Sequence, residues 1–108
     1  MESSLSNNPA KKAPEWPFDQ GEAVAAITTR QVVREGLPVL QVSHYAHDHS
    51  WAFTCGTTNN EADALVLSMK EIIDSDSSLL SIADLPPGWI AWRNSVGAPW
   101  QRQLDSEP

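Results

Sequence analysis

The sequence has little of what membrane-spanning and disulfide-bonded proteins require. Cys55 is its one cysteine, which excludes an internal disulfide and fits a reducing compartment. The longest unbroken apolar run is the five residues Ala23–Ile27, far short of the roughly 20 that a membrane-spanning helix needs. The first residues show no basic and apolar leader. These absences predict a cytoplasmic protein that does not bind membranes.

Basic residues and glycine are also scarce. Seven Lys and Arg stand against fourteen Asp and Glu, a net charge of −7, so phosphate backbones are repelled and we expect no nucleic acid partner. With five glycines, the chain has neither a glycine-rich phosphate loop nor a Gly-x-Ser-x-Gly turn. We expect no cofactor. The absence of paired catalytic groups favours a non-catalytic protein.

The chain divides into a tail and one domain. Residues 1–20 contain three prolines and a Ser/Asn cluster without apolar periodicity, which predicts a disordered N-terminal tail. Residues 21–105 form a single domain. Trp16 and Phe18 are exceptions in the tail, and we expect them to dock onto the domain rather than to anchor a partner.

The first half of the domain contains local signals of a strand, a short helix and a hairpin. Ala23–Ile27 predicts a strand buried on both faces, followed by a helix over 29–35 that Thr28 caps and Gly36 ends. Residues 39–44 and 51–56 predict a hairpin in which paired residue numbers sum to 95. That register places apolar side chains on one face and mostly polar ones on the other.

The second half predicts helices and then two strands. Apolar residues from Ala62 to Ile73 recur at helical spacing and predict one long amphipathic helix over 61–74. A short helix over 77–83 and a turn at Pro87-Gly88 follow, and then strands at 89–93 and 100–104. The predicted fold class is α+β: an antiparallel sheet of about four or five strands packed on one long helix.

Three segments together carry a resemblance. They are the Trp-x-Phe-x-Cys-Gly strand at 51–56, the stretch at 84–93, and Pro99-Trp100-Gln101-Arg102. Over residues 23–103 the chain resembles a family of small uncharacterised bacterial proteins with this strand and a Trp-rich C-terminal end. More distantly it resembles the immunity-like domains of polymorphic-toxin systems. The resemblance implies a bacterial cytosolic origin and supplies no catalytic residue.

Histidines and the cysteine are the candidates for metal or enzyme chemistry. His47, Asp48 and His49 lie at the predicted hairpin tip and could hold a metal ion. Cys55 lies four residue pairs farther down the strand, about 14 Å away at roughly 3.4 Å per residue, so one ion cannot bridge them. We expect Cys55 to be a buried hydrophobic residue beside Leu40 rather than a nucleophile.

Acidic and aromatic residues are the candidates for partner binding. Glu71, Asp74 and Asp76 form an acidic ridge at the end of the long helix, and none of them is expected to be buried. Aromatic and basic side chains at the C-terminal end suit either an interface or a cation–π pair at a sheet edge. The members of that group proposed to bind a partner are Trp89, Arg93 and Arg102.

These residues define the leading function hypothesis and its rivals. We expect a non-catalytic protein-binding module, immunity-like, with a basic protein partner, that is a monomer or a weak edge-strand dimer. The alternatives are a metal protein or enzyme that uses the hairpin tip and Cys55, and a small-ligand-binding domain that uses the turn before the long helix.

Overall fold

Six short strands form one mixed sheet in the computed structural model, which describes residues 16–56 and 61–105. The strands are β1 (Ala25–Thr29), β2 (Gln41–His44), β3 (Trp51–Thr54), β4 (Ala64–Ser68), β5 (Trp89–Trp92) and β6 (Gln101–Leu104). The helices are α1 (Arg30–Glu35) and α2 (Met69–Ser75), with 3-10 helices at Glu61–Asp63 and Ser77–Ile82. The strand order is β4-β1-β3-β2-β5-β6. The fold is therefore α+β in a single domain.

The predicted hairpin is confirmed in its register. Gln41 pairs with Thr54, and His44 pairs with Trp51, so the paired numbers sum to 95. Val42 and Phe53, one pair on the apolar face, are fully buried. Cys55 is buried, as predicted. Alternation alone sufficed here because a shift of one residue would expose every apolar side chain of a strand.

The sheet differs from the expected one in strand number and direction. It has six strands rather than four or five, and β1 lies parallel to β3 while the other neighbours are antiparallel. β1 also begins later than predicted and is buried on one face only, since Ala26 and Thr28 are buried while Ala25 and Ile27 are exposed. Helix α1 follows directly and ends at Gly36, which has a left-handed φ of 73°, as predicted.

The long helix predicted over 61–74 is wrong. Its first half is a 3-10 turn and the strand β4, which pairs with all five residues of β1. Helix α2 begins only at Met69, because Ser68 and Glu71 form a capping box. Leu65, Val66 and Met69 satisfy helical spacing by coincidence, and pairing with β1 outweighs that local periodicity. The following segment is a 3-10 helix capped by the Asp76 side chain.

The main hydrophobic cluster lies on one face of the sheet, although Ala52 on the other face is also buried. The helical segments α2 and Ser77–Ile82 cover the face with the cluster, together with Phe18, which is 6% exposed. On the opposite face, the row of cross-strand neighbours begins with Val66 and Ile27 and continues through Ala52, Ser43 and Ile90. Val66 and Ile27 are exposed there.

The segment just before residue 21 packs onto the domain. Phe18 makes edge contacts with Trp51 and Phe53, and Trp16 packs against the same core. The docking expected for Trp16 and Phe18 is confirmed, whereas the disorder predicted before Trp16 lies outside the described residues. Within the described ranges, no helix is both long and apolar enough to cross a lipid bilayer.

Candidate functional site

His44 lies beneath the hairpin tip and has both ring nitrogens engaged. Its Nε2 lies 2.9 Å from Asp19 Oδ2 and its Nδ1 lies 2.6 Å from the Leu85 carbonyl oxygen. The ring stacks on Trp51 with centroids 3.9 Å apart, and Trp51 Nε1 donates to Asp19 at 2.8 Å. A singly protonated ring satisfies one of the two acceptors, and a doubly protonated ring satisfies both. His44 therefore has no free nitrogen for a metal or a substrate.

The proposed metal residues do not converge on one point. His47 Nε2 lies 3.5 Å from Asp48 Oδ2, whereas His49 Nδ1 turns toward Asp19, 3.6 Å away. Hydrogen bonds from Ser50 lower the pKa of Asp48, whose Oδ1 accepts the Ser50 backbone N–H and closes the turn. Across the described residues, no three His, Cys, Asp or Glu side chains are grouped so that they could hold a metal. The geometry gives this alternative no support.

The acidic ridge is largely engaged in contacts within the chain. Glu71 serves the capping box, and Asp74 Oδ2 lies 2.6 Å from Lys70 Nζ. Asp76 Oδ2 lies 3.1 Å from Arg93 Nη2, and the Arg93 side chain is only 2% exposed. None of the ridge residues is buried, as expected, but Asp76 is half-buried in this ion pair. Only Glu71 and Asp74 remain exposed.

The Trp and Arg residues of the C-terminal end hold the sheet edge to the core. Arg93 donates to the Val39 carbonyl, and its guanidinium lies 4.3 Å from the centroid of the Trp100 ring. This contact is a cation–π pair, one of the two roles that the sequence suggested for these residues. Trp89 is half-buried against the core. Arg102 is an edge residue whose Nη2 lies 2.8 Å from Asp84 Oδ1. Arg93 is too buried to contact a partner, which leaves Trp89 and Arg102 partly accessible.

A cleft between α1 and α2 is a concave feature of the described surface. Its larger part has a volume of about 440 Å³ and is lined by Val32, Gly36, Leu37, Pro38, Val39, Ser75, Asp76 and Val96. A smaller part of about 120 Å³ is lined by Thr28, Val32, Val33, Leu67, Glu71, Ile72 and Ser75. Val32 and Ser75 line both parts, so the two are neighbours. We call this feature the α1–α2 cleft.

The α1–α2 cleft combines apolar walls with polar groups, and its smaller part is the more apolar of the two. Val33 is 43% exposed and Val96 is 54% exposed. The Thr28 hydroxyl is fully buried at the smaller end and has no hydrogen-bond partner among the described residues. Such a group costs free energy unless a ligand or water satisfies it. Hydrogen bonds from the Ser68 backbone and side chain lower the pKa of Glu71, which brings a carboxylate to the rim.

Sequence reasoning missed this cleft. Val32, Val33 and Leu37 belong to a helix and its exit that show no regular apolar stripe, so nothing marked them as a surface. The one available signal was the pair Val32-Val33 in a helix predicted to be short. The predicted acidic residues Glu71 and Asp76 do line the cleft, one in each part.

Comparison with known proteins does not identify the chain, since no family model, curated protein or solved structure matches it. The resemblance to small bacterial and immunity-like proteins stays a prediction.

Proposed function

We propose that this protein is a non-catalytic protein-binding module whose docking site is the α1–α2 cleft. Its ligand is an extended or helical segment of a partner protein that carries apolar side chains next to a Lys or Arg. In the immunity-like form of this proposal, occupying the cleft inhibits a basic partner. The observation that carries the proposal is the buried, unpartnered Thr28 hydroxyl at the end of an apolar cleft with carboxylates at its rim.

The apolar part of the ligand follows from the cleft walls. Apolar surface in the cleft comes from four side chains, those of Val32, Val33, Leu37 and Val96. Aliphatic side chains that enter it remove this surface from water, at roughly 25 cal/mol per Å². A free Thr28 hydroxyl at one end suits a backbone carbonyl or amide of the bound segment.

The basic part of the ligand follows from the charge around the cleft. Asp76 is neutralised by Arg93, but Glu71 lines the rim and has no cation among its described ion pairs. The chain as a whole carries a net charge of −7. A basic segment is therefore attracted over a distance and paired at the rim, and screening by salt weakens this attraction.

Peptide selection on the full-length protein tests this proposal. A displayed library of random peptides is selected on the immobilised chain, and the affinity of the selected peptides is measured by fluorescence anisotropy. We expect sequences with a Lys or Arg beside aliphatic residues, and affinity that falls as salt is raised. Val33→Lys places a cation inside the cleft and should weaken binding at least about tenfold, or about 1.4 kcal/mol.

Val24→Lys is the matched control, because Val24 is 40% exposed but does not line the cleft. It should leave the affinity unchanged. Selection of acidic peptides, or equal losses in the two variants, would contradict the proposal. A failure to select any peptide at all counts against it equally.

A further inference from the structure

The edge strand β4 offers unpaired backbone groups. In the ladder with β1, Met69 N–H donates to the Val24 carbonyl at 2.8 Å, at the position that continues the β4 register. Hydrogen-bonded pairs alternate along an antiparallel ladder, so Leu67 and Leu65 also bond to β1. The N–H and C=O groups of Ala64 and Val66 therefore point away from the sheet.

These outward groups have no partner among the described residues. β4 is the first strand of the sheet order and has β1 as its one neighbour there. Ser68 is the exception at the end of the strand, because its N–H donates to Glu71 Oε1 at 3.0 Å. Ala64 and Val66 together therefore present two N–H donors and two C=O acceptors along the outer edge of β4.

Nothing on this strand discourages pairing with another strand. The sequence of β4 is Ala-Leu-Val-Leu-Ser, without the charge or proline that usually protects a sheet edge. Two of the acidic groups that flank it are compensated, since Arg30 Nε lies 3.1 Å from Asp63 Oδ1 and Lys70 pairs with Asp74. Glu71, which contacts Ser68 at the end of the strand, has no cation among its described ion pairs, so the repulsion between two copies at this strand is reduced but not removed. Val66, at 65% exposed, is the most exposed large apolar residue described.

We infer that β4 pairs with β4 of a second copy of this chain, antiparallel and about a twofold axis. Leu65 then faces the partner subunit's Leu65, and Ala64 faces the partner subunit's Val66. Each Ala64–Val66 pair exchanges two N–H···O bonds, so the free donors and acceptors of both copies are all used. Val66 also packs beside the partner subunit's Ala64 on the open face of the joined sheet.

The expected dimer is weak. Two short strands and a few small apolar side chains cover far less than the ~1,200–2,000 Å² that stable interfaces bury. Its dissociation constant should lie at roughly 0.1 mM or above, or about −5.5 kcal/mol. Because both copies are acidic, raising salt screens their repulsion and should strengthen the dimer.

Sedimentation velocity and amide hydrogen exchange on the full chain test this inference. From micromolar to millimolar concentration the wild type should shift from monomer toward dimer, more so at higher salt. Over the same range the Ala64 and Val66 amides should become protected. Val66→Lys introduces a protective charge at an exposed position and should abolish both effects. Leu80→Lys, at an exposed site on the 3-10 helix Ser77–Ile82 that lines neither β4 nor the cleft, should behave as the wild type.

Each other result overturns the inference. A chain that stays monomeric at millimolar concentration with fast-exchanging amides has a free edge. A monomer whose Ala64 and Val66 amides are protected at every concentration has its edge covered by another part of the same chain. A dimer that survives Val66→Lys, in a variant with an unchanged unfolding midpoint, uses a different surface.

Discussion

At the scale of single residues, Asp19 joins the segment before the domain to the buried ends of β2 and β3. It lies in the stretch predicted to be tail, yet its two carboxylate oxygens accept from Trp51 and bond to His44. It thereby fastens the Trp16–Gln20 segment over the end of β2 and β3. Gln20 adds a bond from its side chain to the His49 carbonyl at 3.0 Å.

Replacing Asp19 should therefore loosen this segment. In Asp19→Asn the buried His44 faces an amide in place of a carboxylate, and we expect a loss of about 1–3 kcal/mol in the free energy of unfolding. Urea unfolding followed by Trp fluorescence measures the loss. Glu22→Gln removes a nearby exposed carboxylate and should change the stability by less than about 0.5 kcal/mol. Equal stability of Asp19→Asn and the wild type would show that the carboxylate is dispensable.

At the scale of elements, residues 61–75 show how one segment can satisfy two patterns. Its apolar spacing fits a helix, but β1 offers a complete strand partner, and the capping box at Ser68 and Glu71 delays the helix until Met69. Strand β4 and helix α2 thus meet at Ser68. Its hydroxyl accepts from the Glu71 N–H, and its own N–H donates to the Glu71 carboxylate. Two residues of the ridge predicted on a long helix, Glu71 and Asp76, line the α1–α2 cleft instead.

The capping box predicts how the stability depends on pH. Hydrogen bonds from Ser68 hold the pKa of Glu71 below its ordinary value of 4.5. A lowered pKa in the folded state stabilises the protein above the unfolded-state pKa, and this stabilisation is lost as pH falls through the folded-state pKa. Glu71→Gln keeps a capping amide without charge. Its thermal midpoint should be lower than that of the wild type at pH 7, and the difference should vanish well below pH 4.5.

The measurement is thermal unfolding by circular dichroism over a pH series. Glu35→Gln, at the exposed end of α1, is the control and should follow the wild type throughout. A midpoint difference for Glu71→Gln that persists unchanged in strong acid would rule out the charge as its source.

At the scale of the whole molecule, the two proposed surfaces use different groups of the same strand. The side chain of Leu67 on β4 lines the smaller part of the α1–α2 cleft, whereas self-pairing uses the outward backbone groups of Ala64 and Val66. The two interactions also depend on salt in opposite senses, because one joins opposite charges and the other joins like charges.

The two functions should therefore be separable. Val66→Lys should abolish dimer formation and leave the affinity for selected basic peptides within about twofold. Val33→Lys should weaken peptide binding and leave the dimer intact. Anisotropy and sedimentation on both variants measure this. Parallel loss of both activities in either variant would mean that the two surfaces are coupled.

The sequence by itself determined the features that depend on neighbouring residues. The hairpin register follows from alternation, and the end of α1 follows from Gly36. Only the tertiary structure decided that 64–68 is a strand, that Arg93 is a buried partner of Asp76, and that Thr28 lies unpaired in a cleft. Each of these depends on a contact between segments distant in sequence. Such contacts stabilise the folded state by amounts that the helix or strand propensity of a single segment does not reflect.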